Sequence, residues 1–249
     1  DWTGDVVAYP FESSTEIWSA STSLPAASDR RIEIWNGTQA ENFNTSLSGG
    51  LRSLMGDGSD NLIKFIRGDR SLEGSGYRCR GDLPGAKVCT KARNPNTGGE
   101  TKIGLFGAVI NSSPVLIADN LDMNYQLLPD GEGADYRSYV DLKKSRARKL
   151  LAVGANDGML HILDEATGRE LYAFIPQSVA PFLKRLANPN YGVTVTDNSL
   201  DTTHHLFVDG KLNEGDVRIN GNWTNVLVGT TGGGAKSVSV SYTHLTLPT

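Results

Sequence analysis

The sequence predicts an all-β fold, a partial β-propeller of four-stranded antiparallel blades carrying long loop insertions. Three observations predict it. Short β-type runs alternate with Gly, Asn and Asp turns through the second half of the chain. A three-stranded meander with tight turns stands complete within residues 149–175, and an apolar run upstream supplies the fourth strand of a propeller blade. The 28 glycines and 10 prolines among 249 residues suit a turn-rich chain of many short strands better than one of long helices.

In chain order, Asp5-Val6-Val7-Ala8-Tyr9 followed by Glu16-Ile17-Trp18 reads as the closing half of an earlier blade. Residues 67–101 are the longest insertion, rich in Gly, Pro, Asn and Arg, and are expected to protrude from a propeller face. The most complete blade spans residues 112–175. Its inner strand is Ser112–Ala118, where Pro114 stands at the start and removes no ladder hydrogen bond. Lys149–Gly154 then leads through Ala155-Asn156-Asp157-Gly158, whose Asn-Asp-Gly supplies positive-φ positions for a hairpin. The chain returns as Met159–Asp164, turns at residues 165–168, and closes the blade with Arg169–Ile175. Pro176–Ala187 has a short helical pattern. His205–Gly210 is expected to open the next blade, with Asn225–Gly229 as its second strand.

Composition narrows the function classes. A formal net charge of −4 argues against a general nucleic-acid binder, which needs a basic face. No apolar run reaches the roughly 18 residues of a membrane-spanning helix. The first residues lack the basic start and apolar stretch of a secretion signal, and the chain reads as beginning in mid-protein. Cys79 and Cys89 are the only cysteines. A local disulfide closing a loop would imply an oxidising compartment, while two unpaired thiols remain the alternative.

Candidate chemistry is sparse. Asn156-Asp157-Gly158 offers oxygens that suit calcium, but fits better as a hairpin turn whose aspartate caps its own backbone. Asp197–Asp201 comes nearest to a calcium loop and lacks its glycine and closing glutamate. His161, His204 and His205 have no carboxylate or cysteine at a diagnostic ligand spacing, so packing in strands is expected of His161 and His205. Two Arg-Gly-Asp triplets occur, Arg67-Gly68-Asp69 and Arg80-Gly81-Asp82; the second lies between the cysteines, where a receptor could reach it. Gly232-Gly233-Gly234 lacks the continuation of a phosphate-binding loop and reads as a turn. No catalytic or metal-binding residue is assigned.

The block Gly154-Ala155-Asn156-Asp157-Gly158-Met159-Leu160-His161 resembles a hallmark of the type IV pilus tip-associated adhesin and biogenesis family (PilC/PilY type). The resemblance continues through Glu170–Pro176, His205–Gly210 and Trp223–Gly229. Weaker matches are Phe65–Asp69, Asn111–Val115, Trp2-x-Gly4 and Trp18-Ser19-Ala20. It covers residues 2 to about 238, which are read as one incomplete propeller domain. The resemblance implies a quinoprotein-like propeller near the end of a longer chain, with Gly154, Asn156, Asp157, Gly158, Met159, His161, Asp209, Gly210 and Trp223 as structural motif residues. It implies a non-catalytic pilus-tip adhesion and assembly or retraction factor, serving twitching motility and surface attachment. Its partners would be pilins, other tip components, and host-cell or abiotic surfaces. The protein would be exported through the periplasm to the bacterial surface. No cofactor is identified in this chain; family propellers hold calcium, which the full-length protein would then be able to bind.

Departures from the family pattern are Ala108 in place of aspartate, a polar insertion at Gly192–Thr203, and loose agreement across Gly232–Lys236. Residues 239–249 resemble translated adaptor sequence and are expected to be foreign. Two other readings stand beside the leading one. A quinone-dependent dehydrogenase of similar architecture would need adjacent cysteines and an acidic cluster, and an outer-membrane assembly scaffold would share the repeats but not the Asn156 block.

Overall fold

The computed structural model describes residues 3–90, 102–117, 121–145, 149–192 and 202–242. Its strands are β1 (Val7–Ala8), β2 (Trp18–Ser19), β3 (Ile32–Trp35), β4 (Ala40–Asn42), β5 (Val115–Ile117), β6 (Leu150–Gly154), β7 (Leu160–Asp164), β8 (Glu170–Ile175), β9 (Leu212–Ile219), β10 (Asn222–Thr230) and β11 (Val238–Tyr242). The helices are α1 (Ala20–Ser23), α2 (Gly49–Leu54), α3 (Asp60–Arg67), α4 (Tyr136–Lys144) and α5 (Leu183–Ala187). Ala118, the last residue of the expected inner strand, lies outside the described residues, as do the Asp197–Asp201 stretch and residues 243–249.

The meander forms where the sequence places it. β5 to β8 pair antiparallel in chain order, with Val153 opposite His161 and Leu160 opposite Phe174. Each connection has a local cause. In the 155–158 turn only Gly158 takes a positive φ, 95°, so Asn156 and Asp157 do not use the left-handed conformation expected of them. Their side chains are committed elsewhere. At the next turn the Asp164 carboxylate accepts from the backbone of Ala166 and Thr167, both at 3.1 Å, which fixes the reversal.

The sheet does not stop at four strands. β3 adds to the free edge of β8 in parallel, Ile32 opposite Ala173 and Ile34 opposite Ile175, and β4 extends it to six. β1 and β2 form a separate antiparallel pair, and β9, β10 and β11 a three-stranded sheet. Val238–Tyr242, at the edge of the stretch read as foreign, pairs along β10. The segment His205–Gly210 is not a strand as expected. It runs between the two larger sheets with Phe207 and Val208 buried, held through side chains rather than a ladder.

Helices cover one face of this mostly β structure, the last of them within the Pro176–Ala187 stretch that the sequence reads as helical. α2, α3 and α5 cover β3 and β8, burying Leu51, Leu62, Ile63, Phe65 and Leu183 against Ile32, Ile34 and Ile175. α3 exists because Ser59 caps its start, accepting from the Leu62 N–H at 3.2 Å, and Gly68 ends it at φ 110°. Its four buried residues fall at positions 3, 4, 6 and 7, one apolar stripe. A second core fills the gap between the larger sheets, Leu160, Ile162 and Tyr172 meeting Leu212 and Leu227. Each such aliphatic side chain contributes about 1.5–3 kcal/mol by leaving water.

In the described part of the 67–101 insertion, residues 67–90, the outer part is exposed at Leu83 and Val88 while the rest packs on the body. Arg70, Cys79 and Arg80 are buried against the body. The reason is a shared acid: Glu73 takes Arg80 at 2.5 Å and Arg70 at 3.3 Å, and Arg70 also reaches the Ile103 carbonyl across the loop. No described helix is long and apolar enough to cross a membrane.

Candidate functional site

The β6–β7 hairpin carries a buried line of alternating charge. His161 sits on β7 facing Glu170 on β8, its Nδ1 2.7 Å from Glu170 Oε2. Its Nε2 lies 3.1 Å from both oxygens of Asp157, in the preceding turn. Beyond Glu170, Arg30 donates from Nε and Nη2 to the two carboxylate oxygens, each at 2.7 Å, a bidentate pair. Phe106 stacks on the imidazole at 4.4 Å and excludes water from it. Asp157 itself accepts from the backbone N–H of Gly107 at 3.1 Å and of Met159 at 3.2 Å. Asp157 thus caps its own hairpin and also grips the segment around Gly107, fifty residues upstream.

This setting determines the charge state. Burial alone would make His161 harder to protonate, but Asp157 and Glu170 outweigh it and hold the imidazole at a pKa of about 9. Burial likewise opposes ionisation of Glu170, yet Arg30 and then His161 pull its carboxyl down to about 2. At neutral pH Glu170 is an anion held between the Arg30 and His161 cations. Both ring nitrogens of His161 are engaged, so it has no basic lone pair to offer a substrate. Met159, under the same turn, is buried and accepts from Arg30 Nη2 at 3.4 Å.

A second stitch joins the hairpin to the next sheet. Asn156 Oδ1 accepts from the Phe207 N–H at 2.7 Å, and its Nδ2 donates to Asp209 at 3.1 Å. Asp209 also accepts from Asn111, at 3.1 Å from the backbone and 2.5 Å from the side chain. Three segments far apart in sequence therefore meet on two buried side chains. Gly154 permits the approach: a Cβ there would fall on the Val208 carbonyl oxygen. Gly210 is similarly hemmed by Thr230.

The other sequence-derived residues lie apart from this hairpin. Trp223, on β10, donates to the Ala134 carbonyl at 2.8 Å and packs edge-on against Tyr136 at 4.6 Å. Cys79 and Cys89 are joined, with Cα atoms 5.0 Å apart. In the Arg80-Gly81-Asp82 triplet Gly81 and Asp82 are half-buried, while Arg80 is buried, stacks 4.0 Å over Phe65 and donates to the carbonyls of Phe65 and Asp69. In the first triplet Arg67 is likewise spent on backbone carbonyls. His205 packs on Phe182 at 4.3 Å, and burial drives the pKa of His204 down to about 4. Gly232–Gly234 is a single 3₁₀ turn between β10 and β11.

Sequence reasoning missed Arg30, Glu170, Phe106, Asn111 and a further buried centre. There Asp216 accepts from Lys143 and Tyr136, both at 2.7 Å, and from Asn225 at 3.1 Å. The available signal was a charged residue at an inward position of an apolar strand, which Glu170 in Glu170–Ile175 provides. Among the described residues, no group of three His, Cys, Asp or Glu side chains is placed to hold a metal.

A family model described as the PilY1 beta-propeller domain matches residues 106–243. Among curated proteins, the chain is 30% identical over 242 residues to a type IV pilus biogenesis factor PilY1 homolog of Xylella fastidiosa, covering 95% of this chain and 17% of that protein. It is 27% identical over 263 residues to the type IV pilus biogenesis factor PilY1 of Pseudomonas aeruginosa strain PAK, covering 96% of this chain and 20% of that protein. The chain thus spans about a fifth of the length of these relatives. No solved structure matches.

Proposed function

The chain belongs to the PilY1 β-propeller family, and from that premise we propose that it is a non-catalytic binding part of a type IV pilus assembly and surface-attachment factor. The observation that carries the reading is the span of the family match, residues 106–243, which contains the whole hairpin, the Asp157–His161–Glu170 contacts and the Asn156 stitch. In this reading β5 to β8 are one quinoprotein-like blade and β9 to β11 belong to the next, with β3 and β4 added at the outer edge. The motif residues are interlocks rather than chemistry: Asn156, Asp157, His161 and Asp209 spend their polar atoms on one another and on backbone. A non-catalytic role is supported by the state of His161, charged and flanked by carboxylates on both nitrogens.

Pilins and other pilus-tip components are the proposed partners, together with the host-cell or abiotic surfaces to which the fibre attaches. The proposed location is the bacterial surface, reached through the periplasm. The Cys79–Cys89 disulfide supports an oxidising compartment on that route.

Deleting the encoding gene in a piliated host tests the proposal. Loss of surface pili, twitching and attachment is expected, with recovery on restoring the gene. Sheared pili should carry the protein, detected by antibody. Unchanged piliation and attachment in the deletion strain would overturn the reading.

A further inference from the structure

A cationic cleft of about 570 Å³ opens between the 27–31 turn, the exit of β4 and the last turn of α3. Sites for small ligands fall in this size range. Arg67 holds its walls together. Its guanidinium donates to the Ala27 carbonyl at 2.8 and 3.0 Å, to Phe43 at 2.7 Å and to Arg30 at 2.7 Å. These carbonyls satisfy the donors without neutralising the charge. Burial, and then repulsion from Arg30, lowers the Arg67 pKa accordingly.

Arg31 and Lys64 stand exposed at the rim. Arg31 shares Glu33 at 3.3 Å, whereas Lys64 forms no ion pair among the described residues. The one acid in the lining, Asp69, accepts from the Ser71 N–H at 2.8 Å and keeps its charge, which the nearby Lys64 and Arg80 offset. With Glu170 and Glu33 counted as partners, four cations face three carboxylates, so positive charge remains in excess. Between the cations the cleft presents the amides of Asn42 and Asn44 and the hydroxyl of Thr45. No aromatic side chain lines it, so it lacks a stacking platform for nucleobases. The net charge of −4 also disfavours a long polyanion.

We propose that this cleft binds an anionic saccharide unit, with its carboxylate or sulfate on Arg31 and Lys64 and its hydroxyls on Asn42 and Asn44. The proposal goes beyond the pilus reading and does not depend on it. Cationic side chains supply charge-assisted hydrogen bonds to the acid group, and the amides read adjacent hydroxyls as donors and acceptors at once.

Titration calorimetry on the 249-residue chain tests it, with a galacturonate trisaccharide, a sulfated trisaccharide, a neutral trisaccharide and inorganic sulfate as probes. At least one charged saccharide should bind, and the two arms separate carboxylate from sulfate recognition. The double variant Arg31→Glu, Lys64→Glu should weaken that binding at least tenfold with an unchanged circular dichroism spectrum. Should that variant fold poorly, Asn42→Ala, at an exposed position, should still weaken binding several-fold. No binding by either charged saccharide would overturn the proposal. So would equal binding of the neutral sugar, equal binding of inorganic sulfate, or variants that bind as well as the parent chain.

Discussion

Raising the pH should loosen the hairpin through one residue, His161. Its pKa is 6.5 in an unstructured chain and about 9 in the fold, where Asp157 and Glu170 overcome the opposing effect of burial. Because the folded value is the higher one, the stabilisation is fully present below pH 6.5 and is lost as pH rises through 9. A gap of about 2.5 between the two values corresponds to about 3 kcal/mol. Urea denaturation at steps from pH 6.5 to 9.5 should show that loss in the parent chain and a flatter profile in His161→Gln. The ring Hε1 resonance offers a direct check, since its NMR titration should be centred near 9. A midpoint near 6.5, or identical pH profiles for parent and variant, would refute the reasoning.

Glu170 gives the mirror image on the acid side. Its carboxyl is depressed to about 2, so its contribution is present above pH 4.5 and should vanish as pH falls through 2, visible as acid unfolding that Glu170→Gln no longer shows. Lys143→Met strands the buried Asp216 carboxylate and should cost about 3–5 kcal/mol, read by the fluorescence of nearby Trp223; adding Asp216→Asn should recover part of it. Gly154→Ala sets a methyl against the Val208 carbonyl and should cost about 1–3 kcal/mol, lowering Tm by roughly 2–12 °C in differential scanning calorimetry. Reducing Cys79–Cys89 opens a short closed loop and should cost about 2–3 kcal/mol, measured as a lower urea midpoint with thiols confirmed by mass spectrometry. Dye-reduction assays on alcohols with added quinone and calcium should show no turnover; activity there would overturn the non-catalytic reading.

What the sequence displayed was the part with local causes. The β6–β7 hairpin is legible because Asn156-Asp157-Gly158 interrupts two apolar runs, and Gly158 alone in that turn carries a positive φ. The partners of those residues are not legible, because they come from elsewhere. Glu170 is nine positions from His161, but Arg30 is 140 positions from Glu170, and Asn111 is 98 from Asp209. Nothing in the run His205–Gly210 distinguishes a strand from an extended segment whose polar groups are claimed by Asn156 and Thr230. The cap and stop of α3, Ser59 and Gly68, are local signals, but eight residues are too few for a helical apolar period to stand out in the sequence. An Arg-Gly-Asp triplet looks exposed in a glycine-rich loop, but Glu73, seven positions earlier, and the carbonyls of Phe65 and Asp69 draw Arg80 inward.

The parallel addition of β3 to β8 has a consequence for the order of events during synthesis. The edge that Ile32 and Ile34 join is made of residues 173–175, about 140 positions later in the chain. At a ribosomal rate of roughly 5–20 residues per second, these residues wait about 7–30 s before their docking strand exists. Throughout that interval β3 has only β4 beside it, and Arg30 lacks the Glu170 carboxylate. The parallel edge of β3 therefore closes only once β8 exists, long after its antiparallel edge has met β4.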